Sequence, residues 1–422
     1  MHSALSHEAQ KAILDDRLRR ASRLATAPVP HRRGPRTRRA VVAVVLALVT
    51  WMLIGTPSAL AAGKTLYVSS SASADPACGL ASQSNPFATV AGALACAANG
   101  STISIGAGSF AGGFTITHSV VLQGVGAGTV IKSDPSVQLE SVTEVSVADG
   151  RNVTLKSLTV DGGGRQHDVV AGSGSLMVVN STISGGVANY GGAINVSPAA
   201  GTTGQLTVLR STIANNLAFT SGGAIYLADG PATARNSVSV IDSTITANQS
   251  GSVAGAIKIG LMGSLTVRDS TVADNQASHD SGGLLADGTG GTGSASVSLT
   301  NTILAANTAA GAPDCVAPEG VTDGGHNVIG AVDGSCPGIT NGVHGDQAGT
   351  PASPLDPVLG SLASNGGTTQ TLALRVGSPA IGAGDPADCQ ATPVSGTDQR
   401  NQKRNAATRL ACDTGAYDTS GH

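Results

Sequence analysis

The sequence predicts an all-β fold in which many short strands stack into a parallel β-helix solenoid. Three observations support this class. The 422 residues include 57 glycines and only 2% aromatics, so turns are frequent and small side chains do the packing. A Ser-Thr-Ile/Val triplet recurs through the middle of the chain, and paired small residues that include glycine follow most copies. No copy has the 3.6-residue apolar spacing of a helix, which excludes helical repeats.

The N-terminus predicts an export signal. Residues 1–39 form a basic leader with ten basic and three acidic side chains, and the apolar run Ala40–Ile54 follows it. Small residues at Ala59 and Ala61 complete a secretory signal, so residues 40–61 are its hydrophobic core and cleavage region. An arginine pair before the apolar run also fits twin-arginine export, and an uncleaved membrane anchor is the alternative. In each case the remainder of the chain is expected outside the cell.

Removing the leader changes the charge balance of the chain. The total of 24 basic and 27 acidic residues becomes 14 and 24 over residues 40–422, a net charge of −10. Nucleic acid is therefore excluded as a partner, because its phosphates require clustered Lys and Arg.

Six cysteines, all beyond the leader, agree with export because an even count in an exported chain implies disulfides. They lie in three local pairs, and sequence alone leaves the connectivity open among fifteen possibilities. The pairs are Cys78 and Cys96, Cys315 and Cys336, and Cys389 and Cys412.

The repeat itself defines the solenoid, which we predict over residues 65–310. The triplets begin at residues 181, 211, 243, 270 and 301, in steps of 30, 32, 27 and 31 residues. Coils of this length, with strands separated by corners and like residues in register, are typical of a parallel β-helix. Each triplet continues an alternating strand, so its third residue should point into the core. These residues are Ile183, Ile213, Ile245, Val272 and Ile303.

Polar residues occupy fixed places in the same repeat. Asn216, Asn248 and Asn275 each follow the triplet serine by five residues, where asparagine tolerates a left-handed corner and can hydrogen-bond its copy one coil away. Arg210 and Asp242 precede two triplets and are expected to form a solvated surface pair. The full set at this outward position is Asn180, Arg210, Asp242, Asp269 and Thr300.

Residues 66–131 resemble the opening of secreted right-handed β-helix proteins of the pectin-lyase-like superfamily. The resemblance rests on a first strand at Leu66-Tyr67-Val68, an Asn-Pro-Phe-Ala-Thr segment and a short helix over residues 90–98. It implies a right-handed solenoid with an N-terminal helical cap, which a Cys78 to Cys96 bridge would pin. Such a cap covers the open end of the core and its strand edges.

Residues 311–422 resemble the choice-of-anchor Q domain found at the C-terminus of bacterial surface or secreted β-helix proteins. The motifs that carry the resemblance begin at Asp323 (DGGHNVIG), Asn365 (NGGTTQTLAL), Gly377 (GSPAIGAG), Thr397 (TDQR) and Cys412 (CDTGAY). The resemblance implies a loop-rich capping domain and a bacterial extracellular or cell-surface location.

The best catalytic candidate is a polar loop that contains Asp161, Arg165, His167 and Asp168. It offers an acid, a base and an imidazole within eight residues, although an ordinary coil corner explains it equally well. The pectin-lyase-like superfamily includes polygalacturonases, but their NTD, DD, GHG and RIK signatures are absent from the sequence of the exported region. Sugar grooves also use stacked aromatics, and the Phe and Tyr residues of this chain are scattered along its sequence.

A second polar cluster could bind Ca²⁺ across neighbouring loops. It contains Asp269, Asp274, Asp280 and Asp287 together with His279, but lacks the spaced aspartates of known calcium loops. We therefore expect no cofactor, with Ca²⁺ as the alternative.

The sequence as a whole favours an exported cell-envelope or extracellular scaffold with a binding or adhesive role, and a polysaccharide or cell-surface ligand is the expected partner. The alternative is a polysaccharide lyase or glycosidase with a divergent site near Asp161–Asp168. A monomer is the default state, and membrane contact is expected only through an uncleaved N-terminal segment.

Overall fold

A computed structural model describes residues 63–133, 143–165, 169–231, 235–290, 293–404 and 412–419. The basic leader and the signal region lie outside the described residues, so the export signal stays a prediction. No helix in the described ranges is both long enough and apolar enough to cross a membrane.

Three long sheets of parallel strands confirm the all-β class and the parallel β-helix. Sheet 1 has ten strands: Thr65–Val68, Ser101–Ile105, Val120–Gln123, Arg151–Lys156, Gly174–Val179, Gly204–Leu209, Asn236–Ile241, Gly263–Arg268, Ser296–Thr300 and Val321–Asp323. Sheet 2 has eight: Phe114–Ile116, Val145–Val147, Val169–Ala171, Ile194–Val196, Ile225–Leu227, Ile257–Ile259, Leu284–Ala286 and Cys315–Val316.

Sheet 3 completes each coil. Its thirteen strands are Gly108–Ala111, Thr129–Lys132, Thr159–Arg165, Thr182–Tyr190, Thr212–Ala214, Leu217–Ser221, Thr244–Thr246, Gln249–Ser250, Thr271–Ala273, Gln276–Ala277, Ile303–Ala305, Val328–Ile329 and Gln347–Ala348. The chain passes from sheet 1 to sheet 3 to sheet 2 and then returns to sheet 1 one coil further along. Parallel stacking continues beyond residue 310 as far as the strand Gln347–Ala348.

The core consists of apolar side chains that repeat in register. In sheet 1 the inward row runs through Leu155, Val178, Val208, Val240, Val267 and Leu299. Every member of this row is buried. Stacking like residues about 4.8 Å apart removes their apolar surface from water continuously along the solenoid. In sheet 3 the predicted row Ile183, Ile213, Ile245 and Val272 is also confirmed by the pairing.

The last member of that sheet 3 row was predicted wrongly. Leu304, and not Ile303, is the register partner of Val272. Ile303 is buried on the opposite side of the strand, in a second apolar cluster with Ala380 and Tyr417. The fifth triplet therefore begins at Thr302, one residue later than its sequence alignment suggests.

Backbone conformation explains the shift. The residue before each triplet adopts a left-handed conformation, with φ of 47° at Asp242, 48° at Asp269 and 46° at Asn301. Asn and Asp adopt this conformation far more readily than a β-branched residue does. Asn301, and not Thr300, therefore occupies the position that precedes the fifth triplet.

The N-terminal cap contains the helix α1 (Val90–Ala95), which buries Val90, Ala93 and Leu94. Thr89 caps the helix by accepting a hydrogen bond from the backbone N–H of Gly92 at 2.9 Å. The helix is shorter than the predicted 90–98 because Cys96 forms its C-cap.

All three local cysteine pairs form disulfides, with Cα–Cα distances of 5.3, 5.6 and 6.7 Å. Cys78–Cys96 joins the N-terminal cap, Cys315–Cys336 lies in the last coils, and Cys389–Cys412 lies in the C-terminal segment.

After the last coil, residues 351–404 and 412–419 pack back along sheet 3. They contain the antiparallel strands Leu359–Ala363 and Thr371–Leu374 and the helix α2 (Pro386–Gln390). We call residues 351–404 and 412–419 the C-terminal segment.

Candidate binding surface

The predicted acid–base loop is only partly described. Asp161 lies in the strand Thr159–Arg165, is half-buried, and accepts a hydrogen bond from the N–H of Gly163 at 3.0 Å. His167 and Asp168 lie outside the described residues, as does the side chain of Arg165. The one described carboxylate therefore supports its own turn, and a catalytic role for the loop stays a prediction.

The four predicted calcium ligands have separate surroundings. Asp269 is buried and accepts hydrogen bonds from Asn301 at 3.1 Å and from Arg268 at 3.1 Å. Asp287 forms an ion pair with Lys258. Asp274 occupies a left-handed corner, and Asp280 is exposed. Among the described residues, no group of three or more His, Cys, Asp or Glu side chains is placed to hold a metal ion.

The asparagines form the predicted ladder inside the solenoid. Their predicted left-handed conformation is wrong, because the left-handed corner lies one residue earlier, at Asn215, Ala247 and Asp274. Asn216 donates from Nδ2 to Oδ1 of Asn248 at 2.8 Å, and Asn248 donates to Asn275 at 2.9 Å. Asn275 then donates to Asn307 at 2.9 Å. Each Oδ1 also accepts the backbone N–H of the preceding asparagine, so these buried amides satisfy one another from coil to coil.

Asp314 ends this ladder. Its Oδ1 accepts from Nδ2 of Asn307 at 2.9 Å, and its Oδ2 accepts from the N–H of Ala331 at 2.8 Å. A carboxylate suits the last place because it only needs to accept. Burial raises the pKa of Asp314 to about 6, against the opposing effect of the bonds from Asn307 and Ala331.

A second buried carboxylate lies one coil further on. Asp346 is 2% exposed and accepts from Nδ2 of Asn327 at 3.1 Å. Burial raises the pKa of Asp346 to about 6, and the neighbouring carboxylate of Asp323 raises it further. Asp323 in turn contacts Nδ1 of the exposed His344 at 2.7 Å. Hydrogen bonds thus link Asn327, Asp346, Asp323 and His344 at the C-terminal end of the solenoid.

Charged side chains join the C-terminal segment to the solenoid. The guanidinium of Arg404 is fully buried and donates to Asp242 at 2.8 Å. It also donates to the backbone carbonyls of Thr397, Asp413 and Gly415, at 3.1, 3.1 and 2.8 Å. We call Asp242, Asp269 and Arg404 the ionic seam.

Arg210 and Asp242 do pair, but the prediction that the pair is solvated is wrong. Nε of Arg210 lies 3.6 Å from Oδ2 of Asp242, but the Asp242 side chain is not exposed at all. Burial raises the pKa of Asp242 to about 6, although Arg404 and Arg210 oppose this rise. The C-terminal segment covers this outward position, which the repeat alone does not reveal.

The middle threonines of three triplets, Thr212, Thr244 and Thr271, have a role that the repeat does not predict. Gln399 accepts from Oγ1 of Thr244 at 2.6 Å and donates to Oγ1 of Thr212 at 3.0 Å. The N–H of Ala416 donates to Oγ1 of Thr271 at 3.1 Å. These hydroxyls face outward and bind the C-terminal segment. The sequence feature that could have indicated this contact is a threonine at the same outward position in successive repeats.

A groove of about 650 Å³ crosses the first coils of sheet 1 on its outer face. All twelve lining residues are neutral, and they combine amide and hydroxyl side chains with apolar ones. They include Asn99, Ser119, Asn152, Thr154, Met177 and Gln205. Met177 is 37% exposed there. The groove can therefore form hydrogen bonds and apolar contacts, but none of its lining residues in the described part of the chain is a titratable acid or base.

The fold and these surfaces define a parallel β-helix protein. Comparison with protein-family models, curated proteins and solved structures finds no match to the chain. The likenesses to the pectin-lyase-like superfamily and to the choice-of-anchor Q domain therefore remain predictions from sequence.

Proposed function

We propose that this protein is an exported bacterial scaffold of the cell envelope or extracellular space, and that it acts by binding rather than by catalysis. The observation that carries the proposal is the groove of sheet 1, whose lining is entirely neutral. Hydrolysis or elimination of a glycosidic bond needs titratable groups at the bond that breaks.

The buried polar groups support the same conclusion. The asparagines are engaged in their ladder, and Asp242, Asp269 and Arg404 are engaged in the ionic seam. These groups stabilise the coils and attach the C-terminal segment. A rigid solenoid of this kind carries function on its outer faces, which vary independently of the core.

Export is supported by the cysteines as well as by the predicted signal. Three disulfides are consistent with folding in an oxidising compartment, since cytosolic thiols are kept reduced. The predicted leader and the C-terminal resemblance add the bacterial cell surface as the proposed location.

An activity assay separates a binding scaffold from the alternative, a polysaccharide lyase or glycosidase. The exported region is incubated with acidic and neutral polysaccharides, with and without Ca²⁺, and unsaturated and reducing ends are measured. We expect no release. Release that disappears in Arg165→Ala or Asp168→Ala would overturn the binding proposal.

A binding assay tests the groove directly. Met177→Lys places a charge in the neutral groove and should weaken retention on bacterial cell walls or immobilised polysaccharide. Val376→Lys is the matched control, because Val376 is 98% exposed in the C-terminal segment and lies outside the groove. Equal retention of both variants and the parent chain would exclude the groove as the binding surface.

A further inference from the structure

The fold brings together the aromatic side chains of Tyr190 and Tyr226, which lie on different coils. Tyr190 and Phe219 are 42% and 59% exposed, and Tyr226 is half-buried. Of the remaining Phe and Tyr side chains, all in the described ranges, only Tyr67 is not buried. We call Tyr190 and Tyr226 the aromatic platform. Aromatic side chains left in water on a folded surface are candidates for contact with a ligand.

The platform is held by paired strands. Tyr190 ends the strand Thr182–Tyr190, and Tyr226 is the middle residue of Ile225–Leu227 one coil further on. Their ring centroids lie 5.0 Å apart with the planes tilted by 45°. Because the backbone on both sides is fixed by parallel pairing, little ordering entropy is lost when a ligand binds.

Polar residues flank Tyr226 on both adjacent coils. The register partners of Tyr226 on the two adjacent coils are Asn195 and Lys258. Lys258 is buried and forms an ion pair with Asp287, so its ammonium group is held in place within the coil next to Tyr226. Burial raises the pKa of Tyr226, and Asp229, Tyr190 and Asp287 raise it further, so negative charge lies near its hydroxyl.

This combination matches the chemistry of a sugar ring. A pyranose presents an apolar C–H face that packs on an aromatic ring, and hydroxyls at its edge that bond to amides, ammonium groups and carboxylates. A folded protein partner needs about 800 Å² on each side of a stable interface, far more than two rings offer.

Charge narrows the class of glycan. Asp229 and Asp287 lie near Tyr226, and residues 40–422 carry a net charge of −10. Uronic acids and sulfated sugars would be repelled by this field. A neutral polysaccharide meets no such barrier.

We propose that the aromatic platform binds a neutral polysaccharide, with sugar rings stacked on Tyr190 and Tyr226. The inference rests on the binding role proposed above and names a ligand class and a second surface for it. Stacking contacts of this kind are worth about tenfold in affinity for each ring.

Affinity gel electrophoresis tests the proposal with the full exported region. The probes are galactomannan, xyloglucan, mixed-linkage β-glucan and starch as neutral polymers, and polygalacturonate as the anionic one. We expect at least one neutral polymer to retard the chain and polygalacturonate to have no effect. Tyr226→Ala and Tyr190→Ala should each weaken retardation about tenfold, whereas Tyr226→Phe should retain it.

Controls make the outcomes decisive. Tyr67→Ala removes a partly exposed tyrosine from sheet 1, away from the platform, and should leave retardation unchanged. Circular dichroism checks that each variant keeps its strands. Retardation by polygalacturonate, retardation by no neutral polymer, or an equal loss in Tyr67→Ala would each overturn the proposal.

Testing the same variants in the cell-wall binding and activity assays distinguishes failure of the platform proposal from failure of the proposed binding function. If the chain binds cell walls and Met177→Lys abolishes that binding while Tyr226→Ala does not, only the platform proposal fails. If the chain instead releases sugar ends and binds nothing, the binding role itself fails.

Discussion

Arg404 and Asp242 form a fully buried ion pair across 162 residues of sequence, with 2.8 Å between Nη2 and Oδ1. Asp242 belongs to a coil of the solenoid and Arg404 to the C-terminal segment. Each charge is costly to bury alone, and each is compensated by the other. The C-terminal segment therefore depends on the coil it covers.

The first prediction concerns this pair. Arg404→Met leaves the Asp242 carboxylate buried without its main partner and should lower the free energy of unfolding by about 3 to 5 kcal/mol. Denaturant unfolding followed by circular dichroism measures the change. The double variant Arg404→Met/Asp242→Asn should recover part of the loss, because it removes both charges. Arg375→Met is the control, since Arg375 is exposed on the same segment. A loss no greater than that of the control would contradict the role of the pair.

The second prediction concerns pH. Burial raises the pKa of Asp314 from 3.8 to about 6, so the folded chain binds this proton more tightly than the unfolded chain. The stabilisation is complete below about pH 4 and is lost as the pH rises through about 6, at a cost of about 3 kcal/mol. Asp314→Asn should therefore flatten the dependence of the unfolding free energy on pH between 4 and 7.

Asp314→Asn should also lower the free energy of unfolding at every pH, because the single amide oxygen cannot accept from both Asn307 and Ala331 in the way that the two carboxylate oxygens do. Only the difference in slope tests the titration. Asp356→Asn makes the same change at an exposed position and is the control for the substitution itself. Parallel profiles for Asp314→Asn and the parent chain would show that Asp314 does not contribute.

The sequence predicted what repeats and missed what does not. The core row and the asparagine ladder follow from like residues at fixed steps, so Ile213 and Asn248 were predicted correctly. The start of the last triplet was predicted wrongly because Asn301-Thr302-Ile303 matches the residue types of the earlier triplets. In the structure Asn301 instead occupies the left-handed corner before the triplet. The residue types within a single repeat do not reveal backbone dihedral angles, so the one-residue shift is visible only in the structure.

Contacts between distant parts of the chain were beyond the pattern altogether. Nothing near Asp242 in sequence indicates that Arg404 covers it, and the two belong to different predicted domains. Tyr190 and Tyr226 also looked scattered, because they lie at different positions of their coils. Winding of the chain places their ring centroids 5.0 Å apart.

The third prediction concerns the asparagine ladder. Asn248→Ala removes the acceptor of Asn216 Nδ2 and the donor to Asn275, and leaves buried carbonyls of Ile213 and Thr246 without their amide partner. Unsatisfied buried groups of this kind cost about 1 to 3 kcal/mol each, so we expect a total loss on the order of 3 kcal/mol. Asn189→Ala is the control, because Asn189 is exposed on a neighbouring coil and should change stability by less than about 0.5 kcal/mol. Similar losses in both variants would show that the ladder is not a stabilising network.

The fourth prediction concerns the disulfide Cys389–Cys412, which closes a loop with a sequence separation of 23 residues. Replacing both cysteines by alanine restores loop entropy to the unfolded chain and should cost about 3 kcal/mol. The loss should be local, because the solenoid core keeps its own stacked contacts. Hydrogen exchange reads this directly at the amide of Gln399, which donates to the carbonyl of Ala416 at 3.0 Å. That amide should exchange faster in the double variant, while the amide of Val240 in sheet 1 should keep its protection. Equal acceleration at both amides would mean that the C-terminal segment and the solenoid unfold as one unit, and that the disulfide stabilises the whole chain.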